Sequence, residues 1–198
     1  PTGSYLAEDE LKRLRAGLPE EILLVVDSAY AEYVTVNDYA AGAELVDSGG
    51  NTVMTRTFSK AYALGGVRLG WAYCPPEIAD VMNRIRGPFN VGLPAQAAGV
   101  AALRDKEFLA KSRDHNSTWL PWLSENVEAV GLTAYPSIAN FILVRFPETK
   151  ERNALAVAER LAALGRHADE NGGGALVDGR NCWERLVRAT RSGWRPTL

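Results

Sequence analysis

Along the first ninety residues the apolar positions change period several times, and each change predicts a different element. Leu6, Leu11 and Leu14 stand among charges at helical spacing, which predicts an amphipathic helix over 6–16. Residues 22–26 form an unbroken apolar run, the pattern of a strand buried on both faces of a parallel sheet. Residues 52–55 read as a second strand, 56–60 as a turn, and 67–73 as a third strand. Pro75-Pro76-Glu77 opens a helix, since proline fits the first turn and a carboxylate suits the positive end of the helix dipole. From Pro94 to about Val130 the chain is rich in Ala and Leu, which predicts helix with a bend around Trp119-Leu120-Pro121. Two strands, 132–135 and 140–145, and an amphipathic helix from about Arg152 to Leu164 follow. Alternating helices and strands predict an α/β layered fold. A shift of composition near Gly87-Pro88 predicts a boundary between domains 1–87 and 88–198, and Gly172-Gly173-Gly174 marks a loop.

Composition narrows the class. With 198 residues, 46% of them hydrophobic, the chain can bury a substantial core, which excludes disordered and fibrous classes. A net charge of -2 provides no basic field for nucleic acid. Cys74 and Cys182 are too few for a secreted disulfide framework, and His115 and His167 lie far apart, so no metal site is expected. No apolar run approaches the length of a membrane span and the N-terminus lacks a signal-peptide profile, so the expected compartment is the cytoplasm. The chain opens on Pro1-Thr2-Gly3 with no initiator Met and reads as if cut from something longer.

Four features carry candidate chemistry: Pro1-Thr2-Gly3, Asp27-Ser28-Ala29-Tyr30, Thr57-Phe58-Ser59-Lys60, and Arg68. Each alone is weak, because an Asp ending a strand is often a helix cap and a lone Lys is usually a solvated charge. Together they suit one cofactor, pyridoxal 5'-phosphate. Asp27 follows the run 22–26, so its carboxylate emerges at the strand's C-terminal end, where α/β sheets bind ligands. A carboxylate there can hold the pyridine nitrogen protonated, which makes the ring an electron sink. Tyr30 can offer its phenol to the ring's 3-oxygen. Thr57 and Ser59 supply hydroxyls, and Arg68 a planar fork suited to phosphate. Lys60 can form the Schiff base if its amine is neutral, which burial near Arg68 favours, and the freed amine can then shuttle a proton.

On these residues the chain resembles fold-type I aminotransferases and, among them, the histidinol-phosphate aminotransferases. The matching stretches are PTGSYL, VVDSAYAEY, NTVMTRTFSKAYALGGVRLGWAY, IRGPFNVGLPAQAAGVAAL and PSIANFILVRF, within residues 1 to 146. The resemblance implies part of a large-domain three-layer α/β/α sheet plus a small C-terminal α+β domain. It makes Lys60 the Schiff-base lysine and Asp27 the pyridinium partner. Tyr30 then contacts the phenolic oxygen, Ser59 and Arg68 hold the phosphate, and Thr57 stands on the phosphate side. It further implies a homodimer that exchanges the amino group between L-histidinol phosphate and 2-oxoglutarate in histidine biosynthesis. An aromatic-amino-acid aminotransferase and a threonine-phosphate decarboxylase are rivals of the same fold, and an inert fragment that binds no cofactor is a rival of another class.

Plainer readings apply elsewhere. Glu32 and Tyr33 read as a helix start and a packed aromatic, Phe89-Asn90 as a loop cap or a segment near the site, and Asn140-Phe141 as a strand entering the small-domain core. The Trp residues read as packing anchors. Two departures from the family stand out. The front half, with its phosphate loop, ring-stacking aromatic and dimer arm, is missing, so the chain alone is expected to be inactive and poorly behaved. After about Leu164 the tail stops matching, and a changed reading frame is one explanation. There Arg188 is the nearest candidate for the substrate-carboxylate clamp and Arg185 the next, against the plainer reading of exposed arginines.

Overall fold

The computed structural model describes residues 2–49, 51–147, 149 and 153–163, and the backbone of 169–171 and 174–176. By backbone contacts the chain divides into two units, Tyr5–Arg113 and Pro1–Ser4 with Asp114–Leu198. Gly87 and Pro88 lie inside the first of these.

In the first unit, α1 (Glu8–Gly17) begins on three acidic residues and ends beside Arg15, the arrangement the helix dipole favours. Arg15 also donates to the carbonyls of Leu18, Pro19, Ile22 and Asn51, so one guanidinium closes the helix and fixes the entries to two strands. Those strands, β1 (Leu24–Asp27) and β2 (Thr52–Thr57), run parallel with Asp27 opposite Thr55. The crossover between them carries a 3-10 turn at Ala31–Tyr33 and a short helix, α2 (Ala43–Asp47), which packs against β2. β3 (Gly70–Tyr73) pairs antiparallel with β2, so the sheet is mixed, in the order β1-β2-β3. Gly70 is required at this pairing, because a Cβ there would meet the Arg56 carbonyl at 2.9 Å. The third strand starts three residues later than the apolar pattern predicts, because Gly65–Val67 coils into a 3-10 turn first.

β1 corrects the reading of a strand buried on both faces. Its residues alternate between half-buried and exposed, and Val25 is 54% exposed. The physical reason is its place in the sheet: β2 is its only strand neighbour among the described residues, and one of its faces is uncovered.

α3 (Pro76–Ile85) starts at the Pro75-Pro76 signal, and α4 (Leu93–Arg104) and α5 (Lys106–Ala129) follow. The break between the last two falls at Asp105, not at the predicted bend around Pro121. Asp105 accepts the Phe108 amide at 2.9 Å through its side chain, an N-cap that starts a new helix. α5 runs through Pro121, whose missing N–H leaves only the Ser117 carbonyl without its intrahelical donor.

The second unit contains most of α5, the strands β4 (Thr133–Ala134) and β5 (Leu143–Arg145), and α6 (Ala154–Ala163), which Asn153 caps through the Ala156 amide at 2.9 Å. β5 is shorter than the predicted 140–145, since Asn140 and Phe141 bend, although both are buried as expected of a core entry. Its core is Leu123, Ile142 and Val144, walled by Trp119, Trp122 and Phe146. Two further strands, β6 (Asp169–Asn171) and β7 (Gly174–Leu176), extend the sheet to the antiparallel order β4-β5-β7-β6. They flank the glycine run that the sequence marks only as a loop.

Candidate functional site

Asp27 ends β1 and Thr57 ends β2, so both stand at the carboxyl ends of the two parallel strands. Asp27 and Thr55 are directly opposite and share a face, because strand side chains alternate. Accordingly Thr55 Oγ1 donates to Asp27 Oδ1 at 3.4 Å, and the Ala29 amide donates to the same oxygen at 3.2 Å. The carboxylate is exposed and held by two donors, which fixes its direction while leaving its second oxygen available to a ligand.

The turn after β2 carries Ser59 and Lys60. The Ser59 amide donates to Thr57 Oγ1 at 3.0 Å, so that hydroxyl shapes the turn. Phe58 anchors the same turn from below. It is buried, its amide donates to the Leu69 carbonyl at 3.1 Å, and its ring lies 5.1 Å from that of Tyr62. Gly99 of α4 completes this packing, since a Cβ there would meet Leu69 Cδ2 at 2.4 Å and the Phe58 ring at 3.8 Å. Above it, Lys60 Nζ sits 4.9 Å from the centre of the Tyr30 ring, a cation–π distance.

Arg68 reaches the turn from the end of the 3-10 turn Gly65–Val67, two residues before β3. Its Nη1 donates to the Gly65 carbonyl at 2.7 Å and to Ser59 Oγ at 3.4 Å. Its backbone is left-handed at φ 58°, an uncommon conformation for a residue with a Cβ and one found preferentially at functional sites. Ala63, in the same loop, is left-handed at φ 57°, its amide donating to the Lys60 carbonyl at 2.9 Å.

The structure thus brings six sequence-identified residues into one neighbourhood: Asp27, Tyr30, Thr57, Ser59, Lys60 and Arg68. Arg188 and Arg185 lie outside the described residues, so the proposed carboxylate clamp has no structural account. Three residues of this neighbourhood were not singled out for a role by sequence reasoning. Glu32 and Arg56 form an ion pair at 2.5 Å with side chains 7% and 18% exposed, and the Arg56 guanidinium lies 5.7 Å from the centre of the Trp71 ring. The sequence offered no local signal, since Arg56 reads as the first residue of a turn and its partner lies 24 residues away.

The set matches what pyridoxal 5'-phosphate demands: a carboxylate for the ring nitrogen, a guanidinium with a neighbouring hydroxyl for the phosphate, and a primary amine for the aldehyde.

The family model for aminotransferase class I and II matches residues 1–166. The histidinol-phosphate aminotransferase of Paramagnetospirillum magneticum is 54% identical over 178 residues, which are 90% of this chain and 49% of that protein. That of Rhodospirillum centenum is 59% identical over 149 residues, 75% of this chain and 41% of that protein. The chain therefore spans about half or less of the length of these curated relatives. Among solved structures, the histidinol-phosphate aminotransferase of Sinorhizobium meliloti, in complex with pyridoxal-5'-phosphate, superposes with a TM-score of 0.82 at 27% identity, over 96% of this chain and 53% of that one. A family match over most of the chain and this superposition agree with the α/β architecture described above, and the chain belongs to the class I and II aminotransferases.

Proposed function

We propose that the protein carrying this chain is a pyridoxal 5'-phosphate-dependent histidinol-phosphate aminotransferase of histidine biosynthesis. It acts in the cytoplasm as a homodimer and passes the amino group of L-histidinol phosphate to 2-oxoglutarate. The observation that carries this reading is the convergence of Asp27, Lys60, Ser59 and Arg68 at the carboxyl ends of β1 and β2. The names of relatives more than half identical favour the substrate. Residues 1–87 then belong to the large cofactor-binding domain, and 88–198 to the connecting helix and small domain.

Each residue has a distinct task. Asp27 holds the proton of the pyridine nitrogen, its own direction set by Ala29 and Thr55. Arg68 and Ser59 bind the phosphate with a charge-assisted fork and a hydroxyl, while Thr57 shapes the turn between them and β2. Tyr30, beside Lys60, would give its phenol to the ring's 3-oxygen, and the Lys60 amine would hold the cofactor at its aldehyde carbon and move the proton at the substrate Cα. Bound there, the cofactor supplies an electron-withdrawing ring that lowers the barrier to removing that proton.

The test uses the protein at its full encoded length. Borohydride treatment with pyridoxal 5'-phosphate should leave the cofactor's mass on the peptide containing Lys60, and Lys60→Ala should lose both that mass and all transamination. Lys60→Arg should fail as well, because guanidinium keeps its proton and cannot act as a nucleophile. Normal turnover in Lys60→Ala overturns the assignment. Activity on another amino donor, with none on L-histidinol phosphate, overturns the substrate alone.

A further inference from the structure

Beneath the site, on the other face of the sheet, lies a charged pair that the chemistry above does not use. Arg56 precedes Thr57 on β2, and alternation turns it away from the face of Asp27, Thr55 and Thr57. Directly across the ladder it meets Trp71 of β3, whose ring receives the guanidinium at 5.7 Å. From the turn that follows β1, Glu32 reaches the same place, and Glu32 Oε1 accepts from Arg56 Nη2 at 2.5 Å.

This is a poor way to gain stability. Burying two charges costs solvation that their attraction rarely returns in full. Here the return is cut further, because Glu32 Oε2 and Arg56 Nε are both buried without a hydrogen-bond partner. Two phenols are also close enough to feel the carboxylate: burial raises the pKa of Tyr33 and of Tyr62, and the charge of Glu32 raises both further. An apolar pair of the same volume would fill the space with less loss. What it could not do is fix a direction, whereas a planar guanidinium stacked on an indole and bonded to a carboxylate has one orientation.

The segments joined by this contact are those that carry the site. Glu32 lies two residues after Tyr30 and five after Asp27, Arg56 four before Lys60, and Trp71 three after Arg68. So short a spacing passes any shift in the pair to the cofactor residues.

We propose that Glu32 and Arg56 are positioning residues, whose ion pair, seated on Trp71, holds the turn of Asp27 and Tyr30 in register with the turn of Ser59 and Lys60. The proposal rests on the reading of Lys60 and Asp27 as cofactor residues. Neither Glu32 nor Arg56 touches the reacting atoms; each acts through the backbone of its neighbours.

The experiment takes the full-length protein saturated with pyridoxal 5'-phosphate and compares wild type with Glu32→Gln and Arg56→Lys. Three quantities are measured: the visible circular dichroism per bound cofactor, which reports how the ring is seated; kcat and KM for the amino donor; and the melting temperature of the apoprotein. Positioning predicts a weakened or inverted dichroic band and a fall of at least tenfold in kcat for Glu32→Gln, with KM little changed. Arg56→Lys keeps the charge but loses the fork, so it should fall between wild type and Glu32→Gln. A lower melting temperature with the dichroic band and kcat unchanged would mean a merely structural pair and overturn the proposal. If Glu32→Gln fails to fold, the same readouts on Arg56→Lys decide, and wild-type values there also overturn it. Retention of borohydride-fixed cofactor in Lys60→Ala would instead place the fault in the underlying assignment of Lys60.

Discussion

Both units of this chain have a buried centre, Met54, Phe58 and Ala61 in the site-bearing one and Leu123, Ile142 and Val144 in the other, but they differ in how much large apolar surface they leave in the open. In the C-terminal one, Leu123, Ile142 and Val144 are sealed beneath Trp119, Trp122 and Phe146, with Ile142 at 0% exposure. In the one bearing the site, Val25, Ile85, Leu93 and Phe89 stand in the open, the last at 92%. Residues of α5 and of β4 and β5 with their flanks close that C-terminal core. The site-bearing unit also carries a polar rim, where two donors hold the Asp27 carboxylate, the Arg68 guanidinium bonds Gly65 and Ser59, and the Lys60 amine lies against the Tyr30 ring. Substitutions in the two should therefore have separable effects: chemistry without stability in the rim, stability without chemistry in the core.

The largest effect is expected at Asp27. Asp27→Asn keeps an oxygen for the Ala29 amide and the Thr55 hydroxyl but removes the charge that protonates the ring nitrogen. By analogy with the loss of other preorganised electrostatic partners, the rate should fall on the order of 10²–10⁴-fold in the full-length enzyme. The apoprotein should melt at an unchanged temperature. Loss of apoprotein stability with intact turnover would make Asp27 a structural cap and erase the contrast.

Next comes the core. Ile142→Ala removes a fully buried side chain and should destabilise the fold by about 2–5 kcal/mol in urea titrations. In the 198-residue chain by itself, Val25→Ala, on the open face of β1, should cost less than about 1 kcal/mol, because little surface there leaves water on folding. Equal costs at the two positions would mean that β1 is covered in solution.

Gly3→Ala should follow at about 1–3 kcal/mol, a figure set by the left-handed penalty plus local strain. Gly3 has φ +87°, its carbonyl accepts the Ile138 amide at 2.9 Å, and a Cβ would stand 2.5 Å from Ser137 Oγ. Gly3→Ala with Ser137→Gly, compared with Ser137→Gly alone, removes the Oγ and Cβ contacts at 2.5 and 2.6 Å but not the backbone strain, so it should recover part of the loss. Full recovery would show that the φ angle carries no cost.

How much of this was legible in the sequence differs by region, for physical reasons. Asp27, Ser59, Lys60 and Arg68 could be found because chemistry fixes both their type and their spacing along one turn and two strand ends. Helix starts were legible where a local signal existed, as at Pro75-Pro76, yet the break at Asp105 was not anticipated in a stretch read as one helix with a bend around Pro121. A side-chain cap was the stronger breaker there, and a proline inside a packed helix was accommodated. At β1 the apolar run marked a strand of a parallel sheet, and its exposed face agrees with the expectation that this chain leaves apolar faces uncovered, since run length records what a strand is suited to and not what covers it here. The Glu32–Arg56 pair was invisible to local reasoning, because its partners are 24 residues apart and meet only through the crossover. The strands flanking Gly172 and Gly173 were missed for a related cause: three-residue segments carry too little periodicity to register.

The smallest effect tests whether the dry centre of the site-bearing unit extends to Tyr33. Tyr33 is buried, and the loss of water around its phenol pushes its pKa above the ordinary value near 10, more than the weak 3.4 Å contact with Ser112 Oγ lowers it. A phenol whose folded pKa is raised favours the native state fully below about pH 10 and loses that contribution as the pH climbs through the folded value. Wild-type stability should therefore decline on alkalinisation, in part through Tyr33. Tyr33→Phe should cost no more than about 1 kcal/mol at neutral pH, the scale of one long hydrogen bond. Its urea midpoint should then fall less steeply than wild type between about pH 9 and 11, so that the gap between the two narrows. Tyr62, also raised by burial, keeps the variant from becoming flat. Parallel curves across that range would mean that the Tyr33 phenol meets water in solution, and that the dry interior around Met54 and Ala61 does not extend to it.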